Sequence, residues 1–210
     1  MPDLELAVLR LPQPAHSISE SLRTSLRDAK DAVESLPTIS PRVKMWYYTQ
    51  IDDPCLLYIM AGWPSARSHY EDWIQTPQNQ AGMQVITEAG VKLVELVHIG
   101  GVTMEDFPCD APVISVASYF VKEDRRGEFE RTLRVIKNGV DKGSWREGAA
   151  CGGWTVEEKE GEDPCWVAFS DWESKEEHDN SAETDESKRS EGTREWISPS
   201  NVAHIQGIVF

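Results

Sequence analysis

The chain repeats itself, and this restricts its possible folds more than any other feature of the sequence. Asp53-Pro54-Cys55 returns 110 residues later as Asp163-Pro164-Cys165, and each copy opens an apolar run that ends in a tryptophan, Trp63 or Trp172. A serine follows two residues on (Ser65, Ser174) and a histidine six residues on (His69, His178). Each half closes on a β-like segment, Val97-His98-Ile99-Gly100-Gly101 in the first and Ala203-His204-Ile205-Gln206-Gly207 in the second. These matches, in one order, predict two copies of one folding unit, with Cys55 equivalent to Cys165 and His98 to His204.

Both halves carry the same order of elements. In the first, Leu4 to Leu11 reads as a strand. Ser17 to Leu36 reads as a helix, with Ile18, Leu22, Leu26, Ala29, Val33 and Leu36 on one face, a Ser17/Glu20 capping box, and a stop at Pro37. Val43 to Gln50 and Cys55 to Trp63 form a hairpin around Asp52-Asp53-Pro54. A helix follows from Ser65, then a second helical stretch from Asn79 to Glu88, then a strand from Val91 to Ile99. The second half offers Val113 to Val121, a helix over Glu128 to Val140 bearing Phe129, Leu133, Ile136 and Val140, and a hairpin from Ala149 to Trp172. A helix capped by Ser174 and Glu177 and a strand from Asn201 to Phe210 complete it. This is β-α-β-β-α-β twice, the ferredoxin-like unit. The predicted organisation is a first unit over residues 1–104, a linker over 105–112 and a second unit over 113–210. A four-stranded sheet with helices on one face must bury its other face. Two such sheets therefore pack face to face or join at their edges into an eight-stranded barrel. The fold class expected is α+β, an intrachain pseudo-dimeric α+β barrel.

Charge narrows the partners. Thirty-six acids against 21 bases leave −15, which repels phosphate backbones and acidic membrane surfaces, so neither nucleic acid nor a membrane is expected. No apolar run approaches the roughly 20 residues of a membrane span, and the expected location is cytoplasmic. The four cysteines show no CxxC spacing and read as reduced thiols, with no metal site. Residues 157–195 hold 15 acids and 5 bases, and the part from Asp179 to Arg194 has no large apolar side chain, which predicts a solvated segment. Phosphate-cradling glycine loops and serine-nucleophile elbows are absent, so nucleotide-dependent and serine-hydrolase chemistries are disfavoured.

Two ferredoxin-like units, each with a tryptophan ending the third strand, a serine-capped helix bearing a histidine and a final histidine-containing strand, resemble the dimeric α+β barrel superfamily. That superfamily includes antibiotic-biosynthesis monooxygenase-like and EthD-like proteins. The resemblance implies a small hydrophobic ligand, often aromatic or polyketide-like, and chemistries ranging from cofactor-free oxygenation through isomerisation, cyclisation and dehydration to haem binding. The cofactor-free monooxygenases of the family use an Asn and a Trp near the cavity. Trp63 is available here, whereas Asn79, Asn138, Asn180 and Asn201 fall in predicted helices or at loop and strand edges.

The residues themselves nominate a site. His69 and His98 are the catalytic candidates, since an imidazole titrates near neutral pH and these two lie beside apolar and aromatic neighbours. Trp46, Tyr48, Tyr58 and Trp63 are expected to wall the pocket. Strand alternation groups His204 with Gln206 on one face, expected to point into the inter-sheet space as substrate-binding groups, while Ala203 and Ile205 pack under helices. The function expected is that of a small enzyme with no cofactor, an isomerase, cyclase or dehydratase of natural-product metabolism working by acid/base catalysis on a hydrophobic molecule, with a homodimer possible. A cofactor-free monooxygenase, a haem-binding barrel and a non-catalytic ligand-binding or stress-related barrel stand as alternatives.

Overall fold

Alternation along the first strand sets the geometry. In the computed structural model, β1 (Asp3–Arg10) sends Leu4, Leu6 and Val8 to one face and Glu5, Ala7 and Leu9 to the other. The structure describes residues 2–36, 43–133, 150–181, 195–197 and 201–210. The elements that follow in the first half are α1 (Glu20–Glu34), β2 (Met45–Gln50), β3 (Leu56–Trp63) and α2 (Ala66–Ser68). A π-helical segment (His69–Ile74), α3 (Pro77–Glu88) and β4 (Lys92–Gly100) complete that half. The second half has β5 (Val113–Phe120), α4 (126–133), β6 (Ala150–Trp154), β7 (Cys165–Trp172), α5 (Lys175–Ser181) and β8 (Asn201–Ile208). Ile136 and Val140, expected on the fourth helix, and most of the segment after Asp179 lie outside the described residues.

The eight strands form one antiparallel sheet in the order β4-β1-β3-β2-β8-β5-β7-β6. Each half has the ferredoxin order, and the halves join by their edges. Between β2 and β8 the ladder is regular, Tyr47 opposite Ile208 through Gln50 opposite Ile205. At the other seam no ladder joins β6 to β4 among the described residues; the bridge Ile99–Thr155 and the bond from Val156 N to His98 O at 2.8 Å link the two edges. The barrel is thus nearly closed. Closing the sheet on itself covers edges that would otherwise invite aggregation.

The interior is filled by Leu4, Leu6, Tyr48, Tyr58, Met60, Val97, Ile99, Ile114, Phe169 and Ile205 among others. Residues between β4 and β5 complete it. Val102 and Phe107 are buried there, and Phe107 meets Tyr48 and Phe169 edge-on at 5.8 and 5.2 Å. Outside, α1 lays Leu22, Leu26 and Val33 over β2 and β3, where Tyr47 OH donates to Leu26 O at 2.8 Å.

Three sequence expectations need correction. The α1 cap is Ser19, whose Oγ accepts from Leu22 N; Ser17 sits in a preceding 3₁₀ turn because Ile18 is extended. Cys55 and Cys165 are one residue out of register. Cys165 opposes Phe120 just as Leu56 opposes Arg10, and Leu11 N bonds to Cys55 O where Val121 N bonds to Pro164 O. The tryptophan and histidine matches hold, so the shared Asp-Pro-Cys is a displaced turn. The faces of β8 are also inverted: Ala203 and Ile205 fill the barrel and His204 points outward. Period-2 alternation says which residues share a face, while apolarity decides which face is enclosed.

Candidate functional site

Between sheet and helices of the first half, four elements bring together a line of polar side chains. Glu5 comes from β1, His69 from the π-helical segment, His98 from β4, and Glu157 from just beyond β6 in the second half. The turn that delivers His69 is fixed by Ser65, which caps α2 and forms a reciprocal box with Ser68, and by Asp3, whose Oδ2 accepts from Ala66 N at 2.8 Å. Winding as a π-helix then places His69 flat against Trp63, ring centroids 4.4 Å apart. π-helical turns are rare and concentrate at functional sites.

His69 Nδ1 and His98 Nε2 lie 2.8 Å apart. His98 Nδ1 meets Glu157 Oε1 at 2.5 Å, and the His98 backbone N donates to Glu157 Oε2 at 2.7 Å. Tyr70 OH adds a third bond to Glu157 at 3.0 Å. At the far end His69 Nε2 stands 3.6 Å from Glu5 Oε2, which accepts from Trp63 Nε1 at 2.6 Å. Glu5 is 5% exposed, His69 4% and His98 0%, whereas the Glu157 side chain is 24% exposed. The line therefore runs from a buried carboxyl to a half-buried one.

Burial sets the charges. Loss of water pushes the Glu5 carboxyl up to about 7, against the Trp63 bond, and pushes His69 down to about 3, with His98 adding to that shift. Burial also acts to raise Glu157, but the bonds from His98 outweigh it and hold the carboxyl below its ordinary range.

Glu157 forms part of the wall of a cleft of about 560 Å³ at the loosely joined seam. Val97, Phe120, Trp154, Cys165 and Val167 give it an apolar floor. Among the described residues, the charged ones lining it are seven acids and two bases, including Arg126, which lies over the Trp154 ring at 4.4 Å. No histidine lines this cleft, and burial holds its one sulfur, on Cys165, as a thiol by pushing it up to about 11. The cleft therefore does not fit haem held by an axial imidazole or thiolate.

The expected site residues divide between the two faces of the sheet. His69, His98 and Trp63 come together on the helix-covered face. Trp46, Tyr48 and Tyr58 lie on the barrel side, packed in or against a filled interior, so they do not share a pocket with the histidines. Tyr48 OH is occupied by Cys109 O at 3.4 Å and Tyr58 OH by Gln50 at 3.1 Å. His204 pairs with His178, Nε2 to Nδ1 at 2.6 Å, under a stacked Trp172, and Gln206 is exposed. Sequence reasoning missed Glu5, Tyr70 and Glu157. Glu5 had a signal, an acid on the helix-covered face of the otherwise apolar run from Leu4 to Leu9. Glu157 had one only through symmetry, as the counterpart of Asp52 in the other hairpin.

No family model matches the sequence, and no curated protein is similar to it. Solved structures do match over nearly the whole chain. A provisionally assigned monooxygenase from Fusobacterium nucleatum superposes with a TM-score of 0.65 at 12% identity, covering 98% of this chain and 92% of that one. A provisionally assigned chlorite dismutase, TA0507, gives 0.65 at 11% identity, covering 99% and 94%. An anthrone oxidase-like protein gives 0.64 at 10% identity, covering 98% and 91%. At such identities the likeness is one of fold, that of the dimeric α+β barrel proteins with the two units in tandem.

Proposed function

We propose that this chain, which has the dimeric α+β barrel fold, is an acid/base enzyme in which Glu157 exchanges protons with a small molecule in the seam cleft. One observation carries the reading. A carboxylate kept ionised by three hydrogen bonds lines a cleft of about 560 Å³ and is backed by two buried histidines. Glu157 is the group that touches substrate. His98 and His69 are positioning residues: they are buried, they do not line the cleft, and they act through Glu157.

The substrate class follows from the walls. The apolar floor suits an aromatic or polyketide-like body, and the excess of acids on the rim disfavours anions. Proton abstraction from a carbon acid is the step an ionised, half-buried carboxylate can perform, and it opens isomerisation, dehydration and cyclisation alike. It also opens cofactor-free oxygenation, the reading favoured by the monooxygenase and anthrone oxidase-like names of the structural neighbours.

The test is deuterium incorporation. A panel of aromatic ketones and anthrone-type compounds is incubated with the protein in D₂O and read by mass spectrometry, with dioxygen uptake followed in parallel. Catalysed exchange is expected for at least one member, with Glu157→Gln slower by roughly 100-fold or more. Exchange accompanied by dioxygen consumption identifies the oxygenase. Binding without exchange, or exchange undiminished in Glu157→Gln, overturns the reading.

A further inference from the structure

The four groups from Glu157 to Glu5 restrict where the protons on that line can sit. A carboxylate only accepts, and a neutral imidazole has one donor and one acceptor nitrogen. With His98 neutral, its Nδ1, 2.5 Å from Glu157 Oε1, carries the hydrogen and its Nε2 is bare. His69 Nδ1, 2.8 Å from that bare nitrogen, must then donate, which leaves His69 Nε2 bare in turn. The group facing it is Glu5 Oε2 at 3.6 Å, a small adjustment beyond hydrogen-bonding distance. An ionised Glu5 there would oppose lone pair to lone pair in a buried site. The chain of four groups needs three protons, and two neutral imidazoles supply only two.

We propose that Glu5 holds the third proton and is the buried terminus of a proton wire, Glu5–His69–His98–Glu157, that stores an acid equivalent for the cleft. The step balances. The Glu5 O–H bond breaks as His69 Nε2–H forms, His69 Nδ1–H breaks as His98 Nε2–H forms, and His98 Nδ1–H breaks as Glu157 O–H forms. The negative charge moves from Glu157 to Glu5. Glu157 then stands protonated at the cleft, so one residue serves as base before the shift and as acid after it. This catalytic use rests on the function proposed above, whereas the protonation of Glu5 does not.

The surroundings support the assignment. Among the described residues, the titratable groups that act on Glu5 are His69, His98, Glu157, Tyr47 and Tyr70, with no lysine or arginine among them to hold a buried anion. Burial raises its carboxyl to about 7. In the second half the wire is cut at both ends. Ser115 stands where Glu5 does, and the counterpart of Glu157 is Asp52, one methylene shorter, solvent-exposed and 4.0 Å from Lys175.

Imidazole and carboxyl NMR on the whole protein tests this without any substrate. At pH 5.5 the wild type should show His69 and His98 each protonated at Nδ1 alone, with the Glu5 carboxyl carbon at the shift of a neutral acid. Between pH 6 and 8 the Glu5 carbon and the His69 nitrogens should titrate together. In Glu5→Gln the amide N–H replaces the acid proton, so the tautomers should match those of the wild type at pH 5.5 and stay unchanged to pH 8.5. Glu5 ionised at pH 5.5 beside a doubly protonated His69 or His98 overturns the proposal, as do His69 and His98 nitrogens in Glu5→Gln that titrate as in the wild type. The wild-type spectra decide the matter even if the variant fails to fold. Failure of the exchange assay, with these spectra as expected, removes the catalytic use and leaves the wire.

Discussion

Glu5 and Ser115 occupy the same place in the two halves of the barrel. Glu5 lies opposite His98 and Ala61, Ser115 lies opposite His204 and Ser170, and each accepts from the indole of the tryptophan that ends its neighbouring strand, at 2.6 and 3.2 Å. The surrounding architecture is duplicated to the ring. Trp63 stacks on His69 at 4.4 Å and Trp172 on His178 at 4.5 Å, and in each half the helical histidine meets the strand histidine through Nδ1 and Nε2. The pair of histidines is therefore a structural signature of the unit. The carboxylates at its two ends distinguish the first copy.

The Glu5 carboxyl makes stability depend on pH in a set direction. Below about pH 4.5 both folded and unfolded chains carry its proton. Between 4.5 and about 7 only the unfolded chain releases it, so stability falls as pH rises through that window. Glu5→Gln has no such proton to lose. The variant should gain on the wild type between pH 4.5 and 7 by on the order of 3 kcal/mol, as measured by urea unfolding at fixed pH values. A constant difference across that range would refute the buried acid.

His69 works in the opposite sense. Its folded value is depressed to about 3 by burial and by His98, so its contribution is present above pH 6.5 and is lost as pH falls towards 3. His69→Gln should unfold at a midpoint less sensitive to acid than the wild type over that window. Parallel acid-unfolding curves would show that His69 is solvated in solution.

Leu26 tests the helix face. It is buried beneath α1 among Leu22, Val33 and Tyr47, and Leu26→Ala should cost about 2 to 5 kcal/mol through the cavity it leaves. A loss below about 0.5 kcal/mol would mean that the face is misassigned.

The loose seam depends on a glycine. A Cβ on Gly153 would sit 2.5 Å from the Gly100 carbonyl oxygen and 2.9 Å from Ile99 Cγ2, so β6 approaches β4 only because no side chain intervenes. Gly153→Ala should cost roughly 1 to 3 kcal/mol by forcing the strands apart. It should also loosen the bond between Val156 N and His98 O, read as faster amide exchange at Val156. Unchanged protection at Val156 would place the strain elsewhere.

Much of the fold was legible because local patterns repeat. The helix face Leu22–Leu26–Val33, the strand ending in Trp63, the Ser65 cap and the order of elements all follow from spacing and capping chemistry within a few residues. So did the meeting of His69 with Trp63, since both belong to the strand-to-helix corner that the repeat marks. The Asp-Pro-Cys match misled by one residue because a turn motif fixes local conformation and leaves strand register free.

What the sequence determined by itself was a duplicated unit with a histidine on each closing strand and each outer helix. Tertiary structure decided which side of the sheet became the interior. Closing the barrel buried Tyr48 against Phe107 and Tyr58 in the same core, and turned His98 and His204 outward, because the enclosed side takes the set that leaves fewest polar groups unsatisfied. Tertiary structure also supplied Glu157. Its partner His98 lies 59 residues away in the other half, and the two meet only where the last strand of one unit is bridged by the hairpin of the other. Periodicity within either half cannot encode that contact, because joining the sheet edges creates it.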